Sequence, residues 1–136
     1  MSRVCLFAAL LVLVPVSSVA ADLRITDSSG SQVVVRNASI DYNAPLGAAV
    51  RESNGIRLQQ GDGTVTLKWK DIEALTVVGP NDSSSSGRRD VEVLLRGGRR
   101  VAAVLLRATD ARLRGTTDLG DYSLDLDKVR SIEPLR

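Results

Sequence analysis

The chain has 136 residues, with 18 Lys plus Arg against 16 Asp plus Glu and no histidine, and its one cysteine is Cys5. Without an imidazole anywhere or a thiol beyond residue 5, the remainder lacks the usual neutral-pH general base, thiol nucleophiles and ordinary zinc or copper ligands. A net charge near zero names no partner, and Tyr42, Trp69 and Tyr122 are the only aromatics after Phe7, which argues against a stacking surface for nucleic acid.

In chain order, Arg3 is followed by an uncharged stretch from Val4 to Val14, then Pro15, then small residues up to Ala20 and Ala21 before Asp22. This pattern reads as a secretory signal peptide over residues 1–21, cleaved after Ala20 or Ala21. The apolar stretch falls short of the ~20 residues that a membrane span needs, so the mature form is expected not to span a membrane and to be periplasmic or secreted. Cys5 leaves with the leader, so no disulfide can brace the mature chain. A core built from roughly 115 residues must stabilise it alone.

From Asp22 on, apolar and polar residues alternate, as in Val65, Leu67 and Trp69 against Thr64, Thr66 and Lys68. Period two means half-buried strands, and the glycines at 30, 61, 63, 97, 98 and 120 stand where hairpins must turn. The pattern predicts strands near 22–26, 32–36, 55–60, 64–70, 73–78, 90–96, 100–107, 110–115, 121–126 and 130–135. Residues 101–106, with the sequence Val-Ala-Ala-Val-Leu-Leu, are expected to form a strand buried on both faces.

The segment from Asn54 to Thr76 repeats after a shift of 57 positions, over Ala111 to Glu133. Gly63 then meets Gly120; Val65, Leu67 and Trp69 meet Tyr122, Leu124 and Leu126; Ile72 and Leu75 meet Val129 and Ile132. Upstream, the hairpin Leu23 to Val35 matches Val91 to Ala103, with extra residues between Arg36 and Arg51 in the first copy. The fold expected is therefore all-β: two tandem or intertwined five-stranded antiparallel repeats forming small barrels or one β-sandwich. The first repeat covers 22–79, a linker or exposed loop 80–88, and the second repeat 89–136. Asp71 and Asp127 are placed to cap a single helical turn at the corner of each repeat.

The closing segment, Leu119-Gly120-Asp121-Tyr122-Ser123-Leu124-Asp125-Leu126-Asp127-Lys128-Val129-Arg130-Ser131-Ile132-Glu133, resembles the end of small barrels in exported bacterial proteins, similar in outline to Sm-like β-barrels. Asp62 to Leu75 is a looser copy. The resemblance implies a fold and carries no catalytic, cofactor or ligand motif with it.

Few chemical groups remain as candidates. Lys68, Lys70 and Lys128 sit in no nucleophile motif, and Trp69, aligned with Leu126, belongs in the core. Asp118, Asp121, Asp125 and Asp127 are explained as turn, strand-face and cap residues, not as a calcium loop. No metal or cofactor is expected. Asn37-Ala38-Ser39 and Asn81-Asp82-Ser83 match the glycosylation acceptor pattern. Arg96, Arg99, Arg100, Arg107, Arg112 and Arg114 form the candidate anionic-ligand surface, able to fork onto phosphate or carboxylate groups. Tyr42, Asn43 and Pro45, within Ser39 to Ala49, are the candidate functional loop. The leading expectation is a non-enzymatic exported β-module binding a protein or an anionic envelope component. The alternatives are an enzyme or enzyme inhibitor acting through the 39–49 loop, and a self-associating structural subunit.

Overall fold

The computed structural model describes residues 21–42, 50–78, 89–105 and 111–135. The strands are β1 (Leu23–Asp27), β2 (Gln32–Tyr42), β3 (Val50–Glu52), β4 (Gly55–Gln60), β5 (Gly63–Lys68), β6 (Ile72–Val77), β7 (Arg89–Leu95), β8 (Arg100–Leu105), β9 (Ala111–Thr117), β10 (Gly120–Asp125) and β11 (Val129–Pro134). Single 3-10 turns at Trp69–Asp71 and Leu126–Lys128 make the corners before β6 and β11. All strands pair antiparallel in one sheet, curled into a half-barrel, in the order β10-β9-β2-β1-β11-β6-β7-β8-β4-β5, with β3 also on β2.

That order is a palindrome under exchange of the repeats. β5, its corner and β6 recur as β10, its corner and β11 at an offset of 57 throughout, and β6 and β11 bury equivalent residues, Ile72 and Leu75 in one and Val129 and Ile132 in the other. The hairpin β1–β2 recurs as β7–β8 with matching register, Leu23 facing Val35 as Val91 faces Ala103. The two repeats meet where Leu75 faces Ile132, equivalent residues on β6 and β11. Of the tandem and intertwined arrangements, the sheet takes the intertwined one: β2 pairs with β9 of the other repeat, and β8 pairs with β4.

Each hairpin turn also docks on the other repeat's corner. Ser28 N–H donates to the Lys128 carbonyl at 2.8 Å, and Arg96 N–H to that of Asp71 at 3.0 Å. The inward residues of both repeats, among them Ile25, Ile40, Leu58, Leu75, Leu113 and Ile132, form one fully buried cluster. The exchange therefore merges two small cores into one, which a chain without disulfides needs.

β2 is longer than its alternation predicts and carries a bulge. Between Arg36 and Ser39 its register on β9 slips, and Asn37 takes the left-handed φ of 52° that Asn tolerates well. The bulge presses on β9 at Gly115, where a Cβ would lie 2.3 Å from Val35 Cγ1 and 2.7 Å from the Arg36 carbonyl oxygen. Only glycine fits there without moving backbone.

Three expectations are corrected. β8 buries one face only, through Ala103 and Leu105, while Ala102 is exposed; it lies in a sheet with solvent on its other side. The corners do form single turns, yet neither has a side-chain cap, and Asp71 and Asp127 lie inside the turns. Each turn is closed instead by the backbone, the N–H of Ile72 reaching Trp69 O and that of Val129 reaching Leu126 O. Residues 39–42, assigned to a protruding loop, belong to β2, and β3 at 50–52 went unpredicted.

Candidate functional site

The five candidate arginines among the described residues do not gather. Arg112 and Arg114 lie on β9, Arg100 on β8, and Arg96 and Arg99 at the β7–β8 turn, while Arg107 lies outside the described residues. Five strands separate β9 from β8 in the sheet order. Several are already engaged: Arg112 Nη2 reaches Asp125 at 3.0 Å, Arg100 Nη1 reaches Glu92 at 2.9 Å, and Arg114 Nε reaches Asp41 at 2.7 Å.

Asp41 is the centre of this charge pattern. It is directly opposite Arg51 on β3 and Arg112 on β9, and its carboxylate accepts from Arg51 Nε at 2.8 Å and from Arg114 Nε on the other side. Arg112 in turn faces Asp125 on β10. The outer face of these four strands is thus a ladder of alternating charge, in which each cation meets an anion across the strand.

Tyr42 lies in β2 and not in a loop. It ends β2 buried, and its hydroxyl accepts the Arg57 N–H at 3.0 Å with the Arg57 guanidinium 5.6 Å from the ring centre. Burial pushes the Tyr42 hydroxyl up to about 12, against smaller opposing effects of Arg57. Asn43 and Pro45 lie outside the described residues. Asn37 is exposed at the bulge, but Ala38 and Ser39 of its acceptor pattern are buried.

The acidic cluster also disperses. Asp118 pairs with Arg36 at 3.2 Å, Asp125 pairs with Arg112, and Asp121 is exposed. Among the described residues, no group of three His, Cys, Asp or Glu could hold a metal ion. Asp127 Oδ1 is buried without a hydrogen-bond partner there, as are Nε and Nη1 of Arg89. Burial lowers the Arg89 pKa, and the nearby charge of Asp127 opposes this. The exposed large apolar residues Val34, Val50, Val78 and Leu119 are scattered along the chain. No helix among the described residues is long and apolar enough to cross a membrane.

What stands out is the pair of sheet ends. Among the described residues β5 pairs with β4 alone and β10 with β9 alone, each over six residues from a two-residue turn. In such a hairpin the residues flanking the turn exchange both hydrogen bonds, and alternate residues face away. This gives Gly63, Val65 and Leu67 to the β4 ladder and leaves the backbone groups of Thr64, Thr66 and Lys68 at the open edge. On β10 the same rule leaves Asp121, Ser123 and Asp125. Alternation in the sequence marked these strands but not their place at the ends, because it says which face is buried and nothing about neighbours.

Compared with known proteins, the chain matches no family model and no curated protein.

Proposed function

We propose that this chain is an exported, non-enzymatic binding module that takes an extended segment of a protein partner onto the open edge of β5. The observation that carries this reading is that, among the described residues, no strand pairs with that edge. Natural sheets guard their ends with proline, bulges, charged side chains or covering loops. β5, Gly-Thr-Val-Thr-Leu-Lys, has no proline, pairs with β4 in unbroken register, turns Val65 and Leu67 inward, and carries a single charge, Lys68, at its end. Main-chain bonds to a partner strand supply affinity, and the alternating side chains supply choice. The lack of histidine, and of cysteine outside the leader, supports binding over catalysis. The edge supports the reading better than the arginines, which are divided along the sheet, with Arg100, Arg112 and Arg114 paired with carboxylates. The order β11-β1-β2-β9-β10, with a 3-10 turn before β11, supports the Sm-like outline for each five-strand group.

The test is capture from envelope extract with three proteins: the wild type, Thr66→Pro, and a variant with Arg96, Arg99 and Arg100 changed to Ser. Thr66→Pro removes an edge N–H that the β4 ladder does not use. Capture should vanish in Thr66→Pro and persist in the arginine variant; the reverse result would move the site to the arginines. N-terminal sequencing of the exported protein should begin at Ala21 or Asp22.

A further inference from the structure

Aligned at the 57-residue offset, the two repeats keep most of their apolar positions and reverse charge at four positions, while Arg57 and Arg114 share theirs. Lys68 aligns with Asp125, Lys70 with Asp127, Asp71 with Lys128, and Glu73 with Arg130. Among the described residues an ion pair within the molecule accounts for Asp125 alone of these eight, through Arg112. The antiparallel register of β6 on β11, centred on Leu75 and Ile132, sends the two corners to opposite ends of that strand pair, about 20 Å apart at ~3.3 Å per residue. Among the described residues Lys68, Lys70, Asp71, Glu73, Asp121 and Lys128 make no ion pair.

The molecule therefore presents two edges of equal length and equivalent backbone geometry, one carrying lysine and the other aspartate. We propose that the partner strand at β5 is β10 of a second copy of this chain, so that copies join head to tail into an extended sheet. The proposal rests on the edge-binding reading above and names its partner. Aligning the open backbone groups of both edges antiparallel allows Thr64 opposite Asp125, Thr66 opposite Ser123 and Lys68 opposite Asp121. In that register the exposed faces coincide, and Val65 and Leu67 meet Leu124 and Tyr122, all four partly buried against the core.

The charges also select against one wrong pairing. Two β10 edges in the equivalent antiparallel register would set Asp121 against Asp125 twice, and like charges directly opposite are unfavourable. Because β5 and β10 are different surfaces at opposite ends of the strand order, the contact is heterologous, and each added copy leaves one edge of each kind open.

Sedimentation velocity of the purified exported chain over a concentration series decides the matter. The wild type should form dimers and longer species that dissociate as salt is raised, since the charged contacts are exposed. Thr66→Pro should remain monomeric. Lys68→Glu and Asp121→Lys should each weaken association about fivefold, the effect of a reversed cross-strand pair. An equimolar mixture of those two variants should recover wild-type association, because each supplies the charge that the other lacks. Thermal melts matching the wild type would show that the variants fold, and the mixture test stands even where Thr66→Pro does not. A wild type that stays monomeric while Thr66→Pro still abolishes partner capture would overturn self-assembly and leave the edge reading intact. A monomeric wild type whose capture is indifferent to Thr66→Pro would overturn both. Assembly unaffected by every variant would place the contact elsewhere.

Discussion

The hairpin β4–β5 with its corner and the hairpin β9–β10 with its corner share a register and turn equivalent positions inward, yet they close differently at the base. In the first, Gly55 faces Lys68 so closely that a Cβ would sit 2.0 Å from the Leu67 carbonyl oxygen, and Trp69 N–H bonds the Asn54 carbonyl at 2.8 Å. In the second, the same position is Arg112, which faces Asp125 and pairs with it. The first corner buries Trp69 and the second buries Leu126. Backbone contact and a large ring hold one hairpin, where an ion pair and a smaller side chain hold the other. The comparison teaches that the repeat fixes which positions face inward, while the chemistry of each outward position is free to diverge.

The largest way to break the comparison is to empty the corners. Trp69→Ala should cost about 4 kcal/mol of stability and Leu126→Ala about 3 kcal/mol, read from urea unfolding. Equal losses would mean that ring size is not what distinguishes the corners. At the hairpin bases, Gly55→Ala should cost about 3 kcal/mol because the obstacle is backbone, whereas Arg112→Ala should cost under about 1 kcal/mol, as exposed pairs do. Similar costs at both bases would remove the proposed difference between them.

Beyond its bulge β2 continues to Tyr42. An unfolded tyrosine loses its proton near 10, and buried Tyr42 holds its proton to about 12. Between those values the folded state binds more protons, so the Tyr42 contribution is intact below pH 10 and falls as pH rises through that window. Its loss should reach about 1 kcal/mol at pH 11, and Tyr42→Phe should lack that component when both proteins are unfolded in urea at pH 9 and pH 11. The smallest effect is expected at the charge ladder, where Asp41→Asn should cost about 1 kcal/mol or less, a loss that shrinks as salt is raised.

The ten strands expected from alternation are all present, and the glycines mark their turns, because both signals are local. Gly120, for example, holds a φ of 121° at the entry to β10. The repeat was legible because equivalent positions must point to the same face in both copies. The end of β2 and the whole of β3 were hidden: Asn37 inserts one residue and shifts the alternation, and Val50–Glu52 is too short to show any period. The arginines read as a single surface because they are close in sequence, yet neighbouring strands here are distant in the sheet. Binding through sheet edges was an expectation, but which strands form the open edges was not legible.

By itself the sequence determined an all-β chain with its turns, single-turn corners, twofold repeat and inward residues, each set by the side chain and its near neighbours. Only the tertiary structure decided that β2 pairs with β9 and β8 with β4, that Asp41 bridges Arg51 and Arg114, that Gly115 yields to the bulge, and that β5 and β10 close no ring. The reason is that an antiparallel ladder is satisfied equally by any strand with matching alternation. Two similar repeats offer the same partner twice, and the choice between them belongs to the whole chain.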